Sequence, residues 1–146
     1  MNRFAYSIFC DDIRHEVNGK LSLIGTYDTQ LLIPKFPATV SKLCVIVTVV
    51  TSPNEPFSDA YVSGKLGDQE LFKLHVDRNQ LAAAEAEKSM NQNETIRKLQ
   101  TMAILSPISF DAPGDITIEV SADGRTIECS GLEVRELPKD APFFLG

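Results

Sequence analysis

The sequence predicts a mainly β chain: a single-domain antiparallel β-sandwich, immunoglobulin-like or C2-like, of about seven to nine strands with one short inserted helix. Three observations carry that expectation. The dipeptides Asn18-Gly19, Gly67-Asp68 and Asp123-Gly124 each separate two strand-like runs, and such pairs tolerate the positive φ that tight hairpins require. Ile116, Ile118 and Val120 alternate with Thr117, Glu119 and Ser121, which gives one dry and one wet face. Residues 43–50, Leu-Cys-Val-Ile-Val-Thr-Val-Val, are apolar on both faces, the pattern of a central strand covered from two sides.

The elements follow in chain order. The apolar run Phe4-Ala5-Tyr6-Ser7-Ile8-Phe9 is a first strand that ends at Asp11-Asp12, where Asp side chains bond nearby amides. Asn18-Gly19 then joins residues 13–17 to 20–24 through a two-residue type I′ turn. Pro34, Pro37, Pro53 and Pro56 mark loops on either side of the central strand. The helix, the chain tail or another subunit would cover that strand's second face, because an apolar patch of that size is not left in water.

Gly67-Asp68 joins residues 60–66 to 70–76, with Gly at the position that type II′ demands. Leu81-Ala82-Ala83-Ala84-Glu85-Ala86-Glu87-Lys88 is rich in helix formers, and Asp77 or Asn79 is available as a cap. Residues 90–93 form a polar break, and the second half of 95–105 is read as a strand. After Asp123-Gly124 the apolar parity switches, from Ile127 and Cys129 to Leu132 and Val134. One extra residue keeps both sets inward, so a β-bulge is expected at Ser130-Gly131. Residues 138–146 form a tail ending in Phe143-Phe144-Leu145, expected to dock on its own sandwich or on a neighbour in an oligomer.

Composition excludes several classes. The length of 146 residues matches one domain, taken as 1–146, with enough core to need no disulfide or metal. Net charge is −6, and no Lys/Arg cluster is present, so nucleic acid is not an expected partner. Three cysteines at wide spacing, Cys10, Cys44 and Cys129, form no Cys-x-x-Cys pair, which fits a reduced, cytoplasmic protein. No run approaches a membrane span, and the opening apolar run is too short for a signal peptide. No cofactor is expected, since the glycine spacings match no phosphate loop or dinucleotide fingerprint.

The densest cluster of ionisable groups is Cys10-Asp11-Asp12-Ile13-Arg14-His15-Glu16. Asp11, Asp12 and Glu16, with His15, are the right ligand types for a metal-dependent enzyme. Adjacent side chains of an extended segment point to opposite faces, however, and separate the two aspartates. Neighbouring acids would raise the Cys10 thiol pKa, which disfavours a nucleophile. The favoured reading is a clamp, with Arg14 bridging to Asp12 or Glu16, and no catalytic or metal residue is assigned.

Phe9-Cys10-Asp11-Asp12-Ile13-Arg14, Asn18-Gly19-Lys20, Leu23-Ile24-Gly25-Thr26-Tyr27, Leu43-Cys44 and Phe110-Asp111-Ala112-Pro113-Gly114 together resemble a family of uncharacterised bacterial and prophage-associated proteins. The resemblance implies one small β-sandwich domain and a phage association, and brings no mechanism. The functional expectation is a non-enzymatic module that binds a protein partner or assembles with itself as a homo-oligomer. Its candidate contacts are the second face of residues 43–50, the acidic turn with Asp11, Asp12, Arg14 and Glu16, and Phe143 and Phe144 of the tail. The alternative is an acidic phage-type inhibitor, or a protein sequestering a small-molecule ligand, acting on a host defence component.

Overall fold

A computed structural model describes residues 3–77 and 96–140. The expected helix at residues 81–88 and the expected contacts Phe143 and Phe144 lie outside the described residues. Among the described residues the chain forms twelve strands and no α-helix: β1 (Phe4–His15), β2 (Leu21–Thr26), β3 (Gln30–Ile33), β4 (Ala38–Val40), β5 (Leu43–Thr51), β6 (Ala60–Leu66), β7 (Gln69–Val76), β8 (Arg97–Leu105), β9 (Ile108–Phe110), β10 (Gly114–Ala122), β11 (Arg125–Ile127) and β12 (Leu132–Glu136). A four-stranded sheet has the order β2-β1-β5-β8, and a six-stranded sheet the order β3-β12-β10-β6-β7 with β11 beside β10. Strands β4 and β9 form a small ribbon. The pairings are antiparallel except β12 with β3.

Strand β5 is central, and all nine of its residues are buried. Its odd-numbered side chains, Leu43, Val45, Val47 and Val49, join Val62, Ile116, Ile118, Val120, Leu132 and Val134 in one cluster. Both larger sheets therefore contribute to a single core. The β-branched residues of β5 suit this pleated, two-sided burial.

The turns follow the sequence in two cases and depart from it in one. Asp123 (φ 52) and Gly124 (φ 79) make a two-residue loop between the paired Ala122 and Arg125, the type I′ pattern. Gly67 (φ 60) opens the two-residue loop between Leu66 and Gln69, as type II′ requires. At the first hairpin, however, His15 pairs with Leu21 and the Glu16 N–H donates to the Lys20 carbonyl at 2.7 Å. The loop is therefore Val17-Asn18-Gly19, one residue longer than expected, with both Asn18 (φ 68) and Gly19 (φ 73) left-handed. The first strand also does not end at Asp11-Asp12. It runs on to His15 and changes partner at Cys10, from β5 to β2.

Two bulges keep the hydrophobic parity intact. Between β11 and β12, five residues of β10, from Val120 to Ile116, face six on the partner, from Ile127 to Leu132. That is the extra residue the parity switch requires. Gly131 lies so close to the Ile116 carbonyl that a Cβ would overlap it. The second bulge was not foreseen. A two-residue turn at Gly67-Asp68 would set Val62 opposite a polar residue. A register shift at Gly64/Lys65 restores Val62 opposite Leu74 and Tyr61 opposite His75.

Polar groups tie the sheets together. The Arg3 guanidinium donates from Nε to Thr51 Oγ1 at 3.1 Å, lies 4.8 Å from the Phe57 ring centre, and meets Asp123 Oδ2 at 2.8 Å. The other Asp123 oxygen accepts the N–H groups of Ser58 and Asp59, each at 2.9 Å. Ser7 Oγ donates to the Ser130 carbonyl at 2.5 Å. Burial alone would raise the Asp123 carboxyl, but the Ser58 N–H, Arg3 and the Asp59 N–H together hold it below its ordinary value.

Two outcomes are expected. Gly131→Ala lowers stability by about 1–3 kcal/mol, because backbone rather than a side chain must move; urea unfolding reads this as a lower midpoint at unchanged slope. Asp123→Asn is destabilising at neutral pH. Because the folded pKa is depressed, the wild-type advantage is complete above the unfolded carboxylate pKa of about 4 and fades as pH falls through the folded value. Urea midpoints of both proteins across pH 7 to about 3 check the convergence.

Candidate functional site

The acidic segment is fastened from several sides. Asp11 accepts the Tyr27 hydroxyl at 2.5 Å, over a Gly25 (φ 68) whose position a Cβ would crowd against the Asp11 carboxylate. Asp12 accepts Lys42 Nζ at 3.1 Å and the Ile13 N–H at 2.9 Å. Lys42 and that N–H hold its carboxyl below the ordinary value. Arg14 pairs with Glu16 at 3.2 Å, one of its two expected partners, while Asp12 turns to Lys42 instead. Burial, then the hydrogen bond to Asp11, raise the Tyr27 phenol. The four residues expected at this turn are thus engaged within the fold. Among the described residues no three His, Cys, Asp or Glu side chains converge as a metal-ligand set.

Cys10 lies directly opposite Cys44, and both are buried. The Cys44 thiol donates to the Asp11 carbonyl at 3.8 Å. Burial, with Cys44 and Asp11 beside it, pushes the Cys10 thiol up to about 11. The expected effect of the acids is therefore present but secondary, and burial leads. A thiol of that kind is protonated and inert.

The second face of β5 is the more informative surface. Pairing places the even-numbered residues of four strands on it. Phe4, Tyr6, Ile8 and Cys10 of β1 lie opposite Val50, Thr48, Ile46 and Cys44. Lys98, Gln100, Met102 and Ile104 of β8 lie on the other side of the same four. Ile24 of β2 lies opposite Asp12. Cys44, Ile46, Thr48 and Val50 are buried, while their neighbours stand out of the sheet: Ile104 is 59% exposed, Phe4 50%, Ile24 46%, and Tyr6 and Met102 37% each. The exposed part of this face is therefore its rim, and apolar side chains exposed together on a protein surface mark interaction sites.

The sequence singled out the second face of residues 43–50 but missed these rim residues. Phe4, Tyr6 and Ile8 share one parity, which is visible in the chain. The arrival of Ile24, Met102 and Ile104 on the same face depends on a sheet order that joins distant segments. The face is also not acidic, although the chain carries −6. Its charged members are Asp12, paired with Lys42, then Arg14 and Lys98.

A family model described as a family of unknown function (DUF6941) matches residues 5–135. No curated protein and no solved structure matches the chain. Among the described residues no helix is long and apolar enough to cross a membrane.

Thiol titration checks the site chemistry. In native buffer a disulfide reagent such as dithionitrobenzoate is expected to leave Cys10 and Cys44 unmodified, and in guanidinium all three cysteines react. Rapid native modification of Cys10 would contradict the buried, protonated pair.

Proposed function

The chain belongs to this family of unknown function, and we propose that it is a non-enzymatic self-assembling module whose four-stranded sheet docks, outer face to outer face, on a second copy. One observation carries the reading: the exposed apolar rim of Phe4, Tyr6, Ile24, Met102 and Ile104 around the buried outer residues of β5. The fold is read as a β-sandwich, with the two larger sheets sharing one core and the apolar rim of the outer sheet face exposed for assembly.

A second copy suits the face for two reasons. A two-fold axis over β5 sets the same apolar residues against each other, so the surface complements itself. Asp12 is neutralised by Lys42 at 3.1 Å, so the copies meet without the repulsion that an acidic chain would otherwise bring. Covering the part of Ile104 and Met102 that is still exposed contributes about 1 kcal/mol each, before the cost of association is subtracted. The alternative, an acidic inhibitor of a host defence component, has the net charge of −6 in its favour. Its acidic side chains Asp11, Asp12 and Glu16 already have partners within the fold, so a basic partner would compete with Tyr27, Lys42 and Arg14.

Light scattering coupled to size exclusion tests the reading. The wild type is expected as a dimer, and Ile104→Lys as a folded monomer or one whose dimer constant is weaker by at least about tenfold, since a charge is forced into a desolvated face. Val17→Lys, at an exposed loop position outside the face, is expected to leave the dimer intact. A wild type that is monomeric throughout, or an Ile104→Lys protein indistinguishable from wild type, contradicts the proposal.

A further inference from the structure

We propose that the outer face of the six-stranded sheet carries a separate binding site for a neutral carbohydrate, with the sugar ring resting on Tyr61. The inference is independent of self-assembly, which uses the other sheet. On this face the residues that alternate away from the core come together: Tyr61, Ser63 and Lys65 of β6 lie between His75, Lys73 and Glu70 of β7 and Ser121 and Glu119 of β10. All of these but His75, which backs Tyr61, border an open groove of about 520 Å³, within the range of small-ligand sites.

The aromatic platform is held in place. The Tyr61 and His75 rings stack with centres 4.1 Å apart and planes 4° from parallel. Asp59 Oδ1 meets His75 Nε2 at 2.5 Å and so fixes the second ring. Asp59 is itself anchored, because its N–H donates to Asp123 Oδ1, on the carboxylate that Arg3 grips. The register shift at Gly64/Lys65 sets Tyr61 opposite His75. A cross-strand pair alone does no more than help hold two strands together. Here the pair stands exposed at the edge of a groove, where it adds a flat, pre-organised surface.

The charges around the ring select the ligand class. Lys65 meets Glu119 at 3.5 Å, Lys73 Nζ stands 6.0 Å from the Tyr61 ring centre, and Glu70 is the fourth charge. Two ammonium groups and two carboxylates sum to zero. A phosphate or carboxylate ligand would meet two carboxylates, and a cationic ligand two ammonium groups. A neutral polyol uses both: its oxygens accept from the lysines, and its hydroxyls donate to the glutamates and to serine oxygens. A pyranose adds an apolar C–H face that an aromatic ring accepts.

Titration calorimetry of the full chain against neutral trisaccharides of glucose, mannose, galactose and N-acetylglucosamine tests this, with inorganic phosphate and acetate alongside. At least one sugar is expected to bind saturably, one per chain. Tyr61→Ala and, separately, Glu119→Gln are expected to weaken it at least about tenfold, and Tyr61→Phe to stay within about threefold of wild type. Glu119→Gln changes an exposed side chain and keeps the test valid if Tyr61→Ala fails to fold. Absence of saturable binding by every sugar, affinity unchanged in Glu119→Gln, or binding of the anions in place of the sugars overturns the proposal. Because Ile104→Lys acts only on the other sheet, it is expected to leave sugar affinity unchanged.

Discussion

Burial of β5 on both faces is the constraint around which the rest of the molecule is arranged. A strand with valine, isoleucine, leucine and cysteine on each side cannot sit at a sheet edge facing water. It is placed between β1 and β8, and its odd-numbered side chains meet the six-stranded sheet in the common core. Its even-numbered side chains are equally buried, yet they belong to a sheet face whose rim is exposed and apolar. The same two-sided apolar pattern thus places the strand both in the core and in a sheet face with an exposed apolar rim.

The polar residues nearest this strand act as fastenings. Arg3 joins the start of β1 to the β10–β11 turn through Asp123, and Ser7 reaches the Ser130 carbonyl. Asp11 and Asp12 are separated by the alternation of an extended strand and bonded to Tyr27 and Lys42 respectively. A protonated, buried Cys10 opens this segment at the point where β1 changes partner from β5 to β2. Charge density along a sequence is a poor guide to chemistry where an extended strand sends alternate side chains to opposite faces.

What could be read from the chain was local. Gly67-Asp68 and Asp123-Gly124 specify their turns because positive φ is decided within two residues. The bulge before β12 follows from the parity of Ile127, Cys129, Leu132 and Val134, since a period of two leaves no other way to keep them inward. Asn18-Gly19 misled by one residue, because the register between β1 and β2 is set by their packing as well as by the dipeptide. Contacts between distant segments were beyond reach: Asp12 with Lys42, Asp11 with Tyr27, and Ile24 and Ile104 on the face of β5 all depend on sheet order. The stack of Tyr61 on His75 lay between these cases. Its hairpin was legible, but the register shift that aligns the rings was not.

Oxidation of Met102 tests the central claim most directly, because its side chain stands on the rim of the β5 face. Dilute peroxide is applied across a protein dilution series that spans dissociation of the dimer, and peptide mass spectrometry reads the rate at Met102, with an added methionine-containing reference peptide in the same samples reporting the reagent dose. If the face is covered by a second copy, the Met102 rate falls severalfold at high protein concentration while the reference-peptide rate holds. A Met102 rate independent of protein concentration would contradict the account.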